Sequence, residues 1–221
     1  MDTKNLLISA LRMYEESRER SQQIEIGASQ IGGCRRQAWH TIQQTPRTNF
    51  EADFLAALIG TAIHGVIEKA LQSYDLFGDD FVIEKAVSLP QLPGHCDFYS
   101  RTHRTVVDWK TSTKDKMVQG KHLDKQKKIQ VNLYAKMLNE NSDPHPVERV
   151  SLAFIPRDGR LRDIIVWEDD YNPKLAEEGL AWLDDVENRK EAPKPERSAR
   201  FYCGDFCKYF DPSGKVGCPG L

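Results

Sequence analysis

The stretch Val106–Ser112, VVDWKTS, decides how this chain is read. It is rich in β-branched residues and follows the turn-like RTHR at 101–104, which predicts a strand. Residues two apart on a strand share a face. Asp108 and Lys110 therefore stand side by side, and Trp109 points the other way. Alone, such an acid and base make a solvated ion pair worth at most about 1 kcal/mol. The segments around them change that assessment.

Two more strand-like runs lie upstream, FVIEKAVSL at 81–89 and GHCDFYS at 94–100, separated by QLPG. The three runs describe an antiparallel meander. Adjacent strands lie about 4.8 Å apart, so Asp97 and Asp108 can converge on one point. Two carboxylates that close repel each other unless a cation lies between them. Hard oxygen ligands of this kind suit magnesium or manganese.

Before the meander, residues 51–74 repeat apolar side chains at three- and four-residue steps, predicting a long helix. It carries His64 and Glu68 at i and i+4, on one face. His64 is a candidate metal ligand, and Glu68 an outer or further one. The interior glycines of this helix, Gly60 and Gly65, are expected to admit another backbone. After the meander, the lysine-rich connection 114–128 leads into a helix at 129–140, IQVNLYAKMLNE, with Gln130 and Tyr134 again at i and i+4. Strands at 148–156 and 160–168, joined at RDGR, follow. A helix from Pro173 to Lys190, a linker at 191–200 and a cysteine-bearing tail end the chain. The N-terminal run, Thr3–Gln22, reads as an amphipathic helix, and 30–44 as a second helical stretch. This order describes an α+β fold, a mixed sheet with helices against it.

The 221 residues suffice for one core, and the mixed charges, net −2, are those of a globular protein. No apolar run reaches about 18 residues, which leaves no transmembrane helix. The acidic, amphipathic start fits neither a secretory signal nor a transit peptide, so a cytoplasmic location is expected. There is no internal repeat.

Taken together, GTAIHGVIE, GHCD, VVDWKTS and QVNLY, in that order, resemble the PD-(D/E)XK nuclease superfamily, and specifically its RecB-like branch. The resemblance spans His64 to Tyr134. It implies a restriction-endonuclease-like core at about 50–170 within a single nuclease domain, 1–221. It implies a metal site of His64, Asp97, Asp108 and the backbone carbonyl of Trp109, with Lys110 as catalytic lysine. Gln130 and Tyr134 correspond to the branch's DNA-positioning motif beside the site.

Five cysteines are present. Three, Cys203, Cys207 and Cys218, fall in the last nineteen residues, and Cys34 lies far upstream. In a reducing compartment such a set is a ligand set rather than two disulfides, binding zinc or an iron–sulfur cluster. Some RecB-like nucleases hold a [4Fe–4S] cluster with one cysteine before the core and three after it. That resemblance implies a cluster held by segments 28–45 and 195–221, with zinc as the alternative, although the later triplet here carries an insertion. Cys96 is expected to pack in the core.

Lys114, Lys116, Lys121, Lys125, Lys127 and Lys128 follow the active-site strand and are expected to bind DNA phosphates, with Arg35, Arg36 and Arg104 extending the surface. Trp39 and Tyr209 are candidates for base stacking. The expected function is a metal-dependent DNA exonuclease acting on single-stranded ends in recombination, repair or processing, in a bacterium or a phage-infected one. With no Gly-x-x-x-x-Gly-Lys-Ser/Thr motif in the sequence, any helicase or recombination partner is a separate chain. A non-catalytic DNA-end adaptor and a structure- or sequence-specific endonuclease are the alternatives. Intact Asp97, Asp108 and Lys110 argue against the adaptor.

Overall fold

In the computed structural model, which describes residues 2–18, 25–73, 80–141 and 145–221, the meander has the expected extents. Strand β1 spans Phe81–Leu89, β2 Leu92–Ser100 and β3 Thr105–Ser112. The first turn is tighter than QLPG suggested, because Leu89 already pairs with Leu92 and only Pro90 and Gln91 connect them. This register sets Glu84 between the pairs Ile83–Phe98 and Lys85–Cys96, and so opposite Asp97.

Beyond β3 the chain crosses over and returns as β4, Arg149–Pro156, parallel to β3. Strand β5, Ile165–Asp170, then pairs antiparallel with β4, completing a mixed sheet ordered β1-β2-β3-β4-β5. Buried on both faces, β4 reads as the apolar run VSLAF, as an internal strand must. β5 starts later than the expected 160, because Asp163 accepts from the Arg160 N–H and fixes a 3-10 turn at Leu161–Asp163.

Helix α1 covers Thr3–Ser17, α2 Arg35–Ile42 and α3 Leu55–Ser73. The remainder of the expected first helix, 19–22, and the expected end of the third, 74, lie outside the described residues. α2 is shorter than expected, with Cys34 as its N-cap. The lysine-rich connection is not a plain loop. It forms α4, Lys114–Val118, and the first turn of α5, Lys125–Glu140, capped by the Asp124 carboxylate on the Lys127 N–H.

α5 lies against the sheet, and α6, Pro173–Glu187, lies on α5. Two glycines permit these contacts. A Cβ on Gly94 would sit 2.9 Å from the Tyr134 ring, and one on Gly179 2.7 Å from Ile129 Cγ2. The backbone approach expected at Gly60 and Gly65 is not made: a Cβ at Gly65 would meet nothing within 4 Å, and at Gly60 only the Thr111 hydroxyl. The α+β, restriction-endonuclease-like architecture expected from the sequence is the one found. Among the described residues no helix is long and apolar enough to cross a membrane.

Candidate active site

β2 and β3 pair from Phe98 to Ser100 against Thr105 to Val107. The buried carboxylate of Asp97 reaches β3 just past that ladder, and the Trp109 N–H donates to its Oδ2 at 2.6 Å. A residue's N–H and C=O leave an extended strand on the same edge, so the Trp109 carbonyl faces the same side as Asp97. The Trp109 indole packs instead beside Phe98, ring centroids 5.9 Å apart.

Asp108 is 1% exposed. Its Oδ2 lies 2.6 Å from Lys110 Nζ, off the hydrogen-bonding direction, and its Oδ1 accepts from Gln130 Nε2 at 3.3 Å. Burial pushes this carboxyl up to about 6, against the pull of Lys110 and with a further push from Asp97. The expected side-by-side placement of Asp108 and Lys110 is therefore present, but buried rather than solvated.

On α3, His64 Nδ1 lies 3.4 Å from Asp97 Oδ1. Burial works against a charged ring there, yet the carboxylates of Asp97 and Asp108 hold the histidine above its ordinary value. Glu68 lines the same cleft and accepts from Gln72 at 3.1 Å. The residue that joins His64 and Asp97 is Glu84. Ligand atoms of His64, Glu84 and Asp97 all lie within 4.8 Å of one another, and among the described residues this is the one such group of three. Burial raises the Glu84 carboxyl, as do its neighbours Asp97 and Glu68. Glu84 also has φ +48°, a left-handed conformation within a strand, the kind of strain that concentrates at functional sites. Sequence reading passed it over. The signal that finds it is the two-residue turn, which fixes the register and sets Glu84 across from Asp97.

The donor set fits a divalent cation. One imidazole and two carboxylates converge, and a third carboxylate, Asp108, is buried beside them. Such a set offers nitrogen and oxygen ligands of the kind a hard divalent cation takes, beside the positive charge that Lys110 already supplies to Asp108.

Gln130 and Tyr134 line the cleft but expose little of themselves to it. Both are 4% exposed, and Gln130 Nε2 donates to Tyr134 Oη at 2.8 Å as well as to Asp108. They form part of the cleft floor, where Gln130 contacts Asp108 and Tyr134 contacts Gln130.

The chain is similar in fold to SSO0001. The crystal structure of that protein is 17% identical, and the match covers 95% of this chain and 94% of that one with a TM-score of 0.53. A phage related exonuclease from Haemophilus somnus 129PT is 12% identical over 55% of this chain and 66% of its own, TM-score 0.39. An alkaline exonuclease from Laribacter hongkongensis, LHK-Exo, is 9% identical over 76% and 90%, TM-score 0.45. No family model matches the sequence, and no curated protein does.

The far-separated cysteines come within electrostatic reach of one another. Cys203 is pushed up to about 11 by burial and by the thiols of Cys207, Cys218 and Cys34. Backbone N–H groups face these sulfurs: Gln37 on Cys34, Tyr209 on Cys207, and Gly220 on Cys218 at 3.4 Å. Cys96 is fully buried in the main core, as expected.

The lysine run does not line the cleft. Lys114 pairs with Asp163 at 3.1 Å, Lys125 with Glu178 at 2.8 Å and Lys127 with Asp124, while Lys128 lies over the Trp167 ring. Lys116 and Lys121 are exposed. Arg35 is held by Asp185 and Glu196, Arg36 by the Pro193 carbonyl, and Arg104 by Glu148. The Arg35 and Arg36 contacts tie α2 to α6 and to the linker, and Arg104 ties the β2–β3 turn to the residue before β4. Trp39 donates to the Arg189 carbonyl and does not line the cleft, and Tyr209 is buried against His40, which leaves it no base-stacking face. The cleft over the site, about 1410 Å³, draws its cations from elsewhere: Lys110, Arg12, Arg18, Arg47 and Lys208. Carboxylates outnumber them eight to five along its lining.

Proposed function

We propose that the protein is a metal-dependent deoxyribonuclease, hydrolysing phosphodiester bonds as an exonuclease at single-stranded DNA ends. The observation that carries this reading is the convergence of His64, Glu84 and Asp97 next to the buried Asp108–Lys110 pair, at the base of one cleft. An excess of carboxylates repels a polyanion unless cations are bound among them. The residues present are the ones a nuclease needs to hold such cations against DNA.

His64, Glu84 and Asp97 would hold a magnesium or manganese ion, with Asp108 and the Trp109 carbonyl at its edge. A bound ion of this kind supplies an activated water and positive charge for the phosphoryl oxygens. Lys110, a fifth exposed to the cleft, is placed to orient the attacking water and neutralise charge developing on the phosphate. Gln130 holds Asp108 in the orientation Lys110 uses, and the Trp109 N–H does the same for Asp97. A helicase or recombination partner in another chain would supply the single-stranded end.

The second cofactor in this reading is a [4Fe–4S] cluster on Cys34, Cys203, Cys207 and Cys218. A zinc ion about 2.3 Å from each sulfur would bring the sulfurs to about 3.8 Å from one another. Among the described residues no three of these sulfurs lie within 4.8 Å of one another, so the choice between cluster and zinc falls to the metal content of the protein. Anaerobically purified protein is expected to be brown and to contain iron and sulfide. Colourless, zinc-loaded protein would replace the cluster with zinc.

Digestion of end-labelled single- and double-stranded DNA with manganese or magnesium tests the reaction. Asp108→Ala and Lys110→Ala are expected to lose cleavage by at least about 100-fold. Undiminished cleavage by both would remove the catalytic assignment.

A further inference from the structure

None of the residues of α1 is buried, so the helix is held across the cleft by charge rather than by a core. Arg12 Nη1 and Nη2 donate to the two oxygens of Glu51 at 3.2 and 2.5 Å. At the end of the helix, Arg18 Nη1 lies 2.7 Å from Glu15, and its Nη2 donates to the Thr61 hydroxyl of α3 at 3.1 Å. Arg47, before α3, lies 3.7 Å from Glu16 of α1. All three arginines line the cleft that holds the metal ligands.

A guanidinium with two parallel donors on a carboxylate presents the same fork that grips a phosphate. The Glu51 carboxylate thus occupies the fork that phosphodiester oxygens would take on Arg12, and Glu15 and Glu16 each lie against one nitrogen of Arg18 and Arg47. The Arg12–Glu51 and Arg47–Glu16 pairs are open to solvent, and such pairs are weak and easily exchanged, whereas Arg18–Glu15 is half-buried. Each phosphate that replaces one also releases condensed counterions, which favours the exchange at low salt. The lysine run at 114–128 lies outside this cleft and cannot serve the same strand at the site.

We propose that Arg12, Arg18 and Arg47 are the phosphate-binding residues for the incoming single strand, and that Glu51, Glu15 and Glu16 are resident competitors which that strand displaces. The inference rests on the nuclease reading, since it takes DNA as the ligand of this cleft. α1 is then a strap closed on its own glutamates in the free protein and on DNA in the complex.

Arg12→Gln and Glu51→Gln delete the same ion pair, and that makes the test decisive. Binding of a dye-labelled oligodeoxythymidylate is followed by fluorescence anisotropy with calcium in place of magnesium, so that the carboxylates keep a hard cation, over a range of potassium chloride. Arg12→Gln should weaken binding roughly three- to tenfold and lower the salt slope by about 0.7. Glu51→Gln should tighten it, because Arg12 no longer has a carboxylate to satisfy it. Arg12→Lys, which keeps the charge, should keep most of the slope. A merely structural pair would move Arg12→Gln and Glu51→Gln in the same direction, and that result, or no shift in either, overturns the assignment. Wild type that binds and degrades DNA while both variants match it would remove the arginine assignment alone. Wild type that neither binds nor degrades DNA would remove the nuclease reading with it.

Discussion

α3 and α5 are two walls of one cleft built on contrary plans. α5 buries nine residues, from Ile129 to Leu138, and presents Gln130 to Asp108 from inside the core. α3 is longer, 19 residues, yet buries none, and it meets the site through His64 at 3.4 Å from Asp97. Val66 of α3 is 67% exposed. A wall made of core fixes its side chains, while a wall with few buried contacts opens at low cost. Asp108, Lys110 and Gln130 thus form the fixed half of the site, and His64 with Glu68 the adjustable half. Adjustability on the His64 side suits the proposed function, in which the site would admit both an ion and a DNA strand.

The sharpest way to break this comparison is to truncate each wall. Leu133→Ala, at a fully buried position of α5, should cost about 2–5 kcal/mol in urea unfolding. An equally small cost there as in α3 would show that the walls do not differ. The metal side comes next: His64→Gln and Glu84→Gln should each weaken manganese binding by on the order of tenfold, measured by calorimetry, with unfolding midpoints nearly unchanged. A large loss of stability in His64→Gln would make α3 part of the core after all.

A smaller effect concerns pH. The Asp108 carboxyl is raised in the folded chain, so the stability it contributes is full below its ordinary 3.8 and is lost as pH rises through about 6. Metal-free protein should therefore lose stability over that window, and Asp108→Asn should not. At neutral pH the variant should melt higher than metal-free wild type, by roughly 2–4 °C for each kcal/mol recovered. A lower melting point would mean that Asp108 is stabilised by its neighbours rather than strained by burial. Smallest of all, Val66→Ala should stay within about 0.5 kcal/mol of wild type.

The sheet was legible because β-branched runs and turn residues mark β1 and β3 to the residue. Asp97 and Asp108 followed from alternation alone. Glu84 did not, because its meaning depends on register, and register turned on whether four residues or two connect β1 to β2. Lysines 114–128 misled for a different reason. A charge run shows in sequence, but its partners, Asp163, Glu178 and Trp167, lie on other elements and satisfy it. Besides Lys110 and Lys208, the cations that line the cleft are single arginines scattered over α1, its C-cap and the segment before α3, where no local pattern announces them. Gln130 and Tyr134 were placed on the right helix, but their depth reflects how closely Gly94 lets that helix approach the sheet.

The cysteine tail bears on this cleft without touching its chemistry. Asn49 donates to the carbonyls of Gly204 and Cys207, the Thr48 and Asn49 N–H groups both donate to Lys208, and the Asp53 N–H donates to Asp205. Those residues are the approach ramp to α3, so the tail works as a buttress under the weaker wall. If the cysteines hold the proposed cluster, its loss would be felt through that ramp at His64, a residue with no redox chemistry of its own.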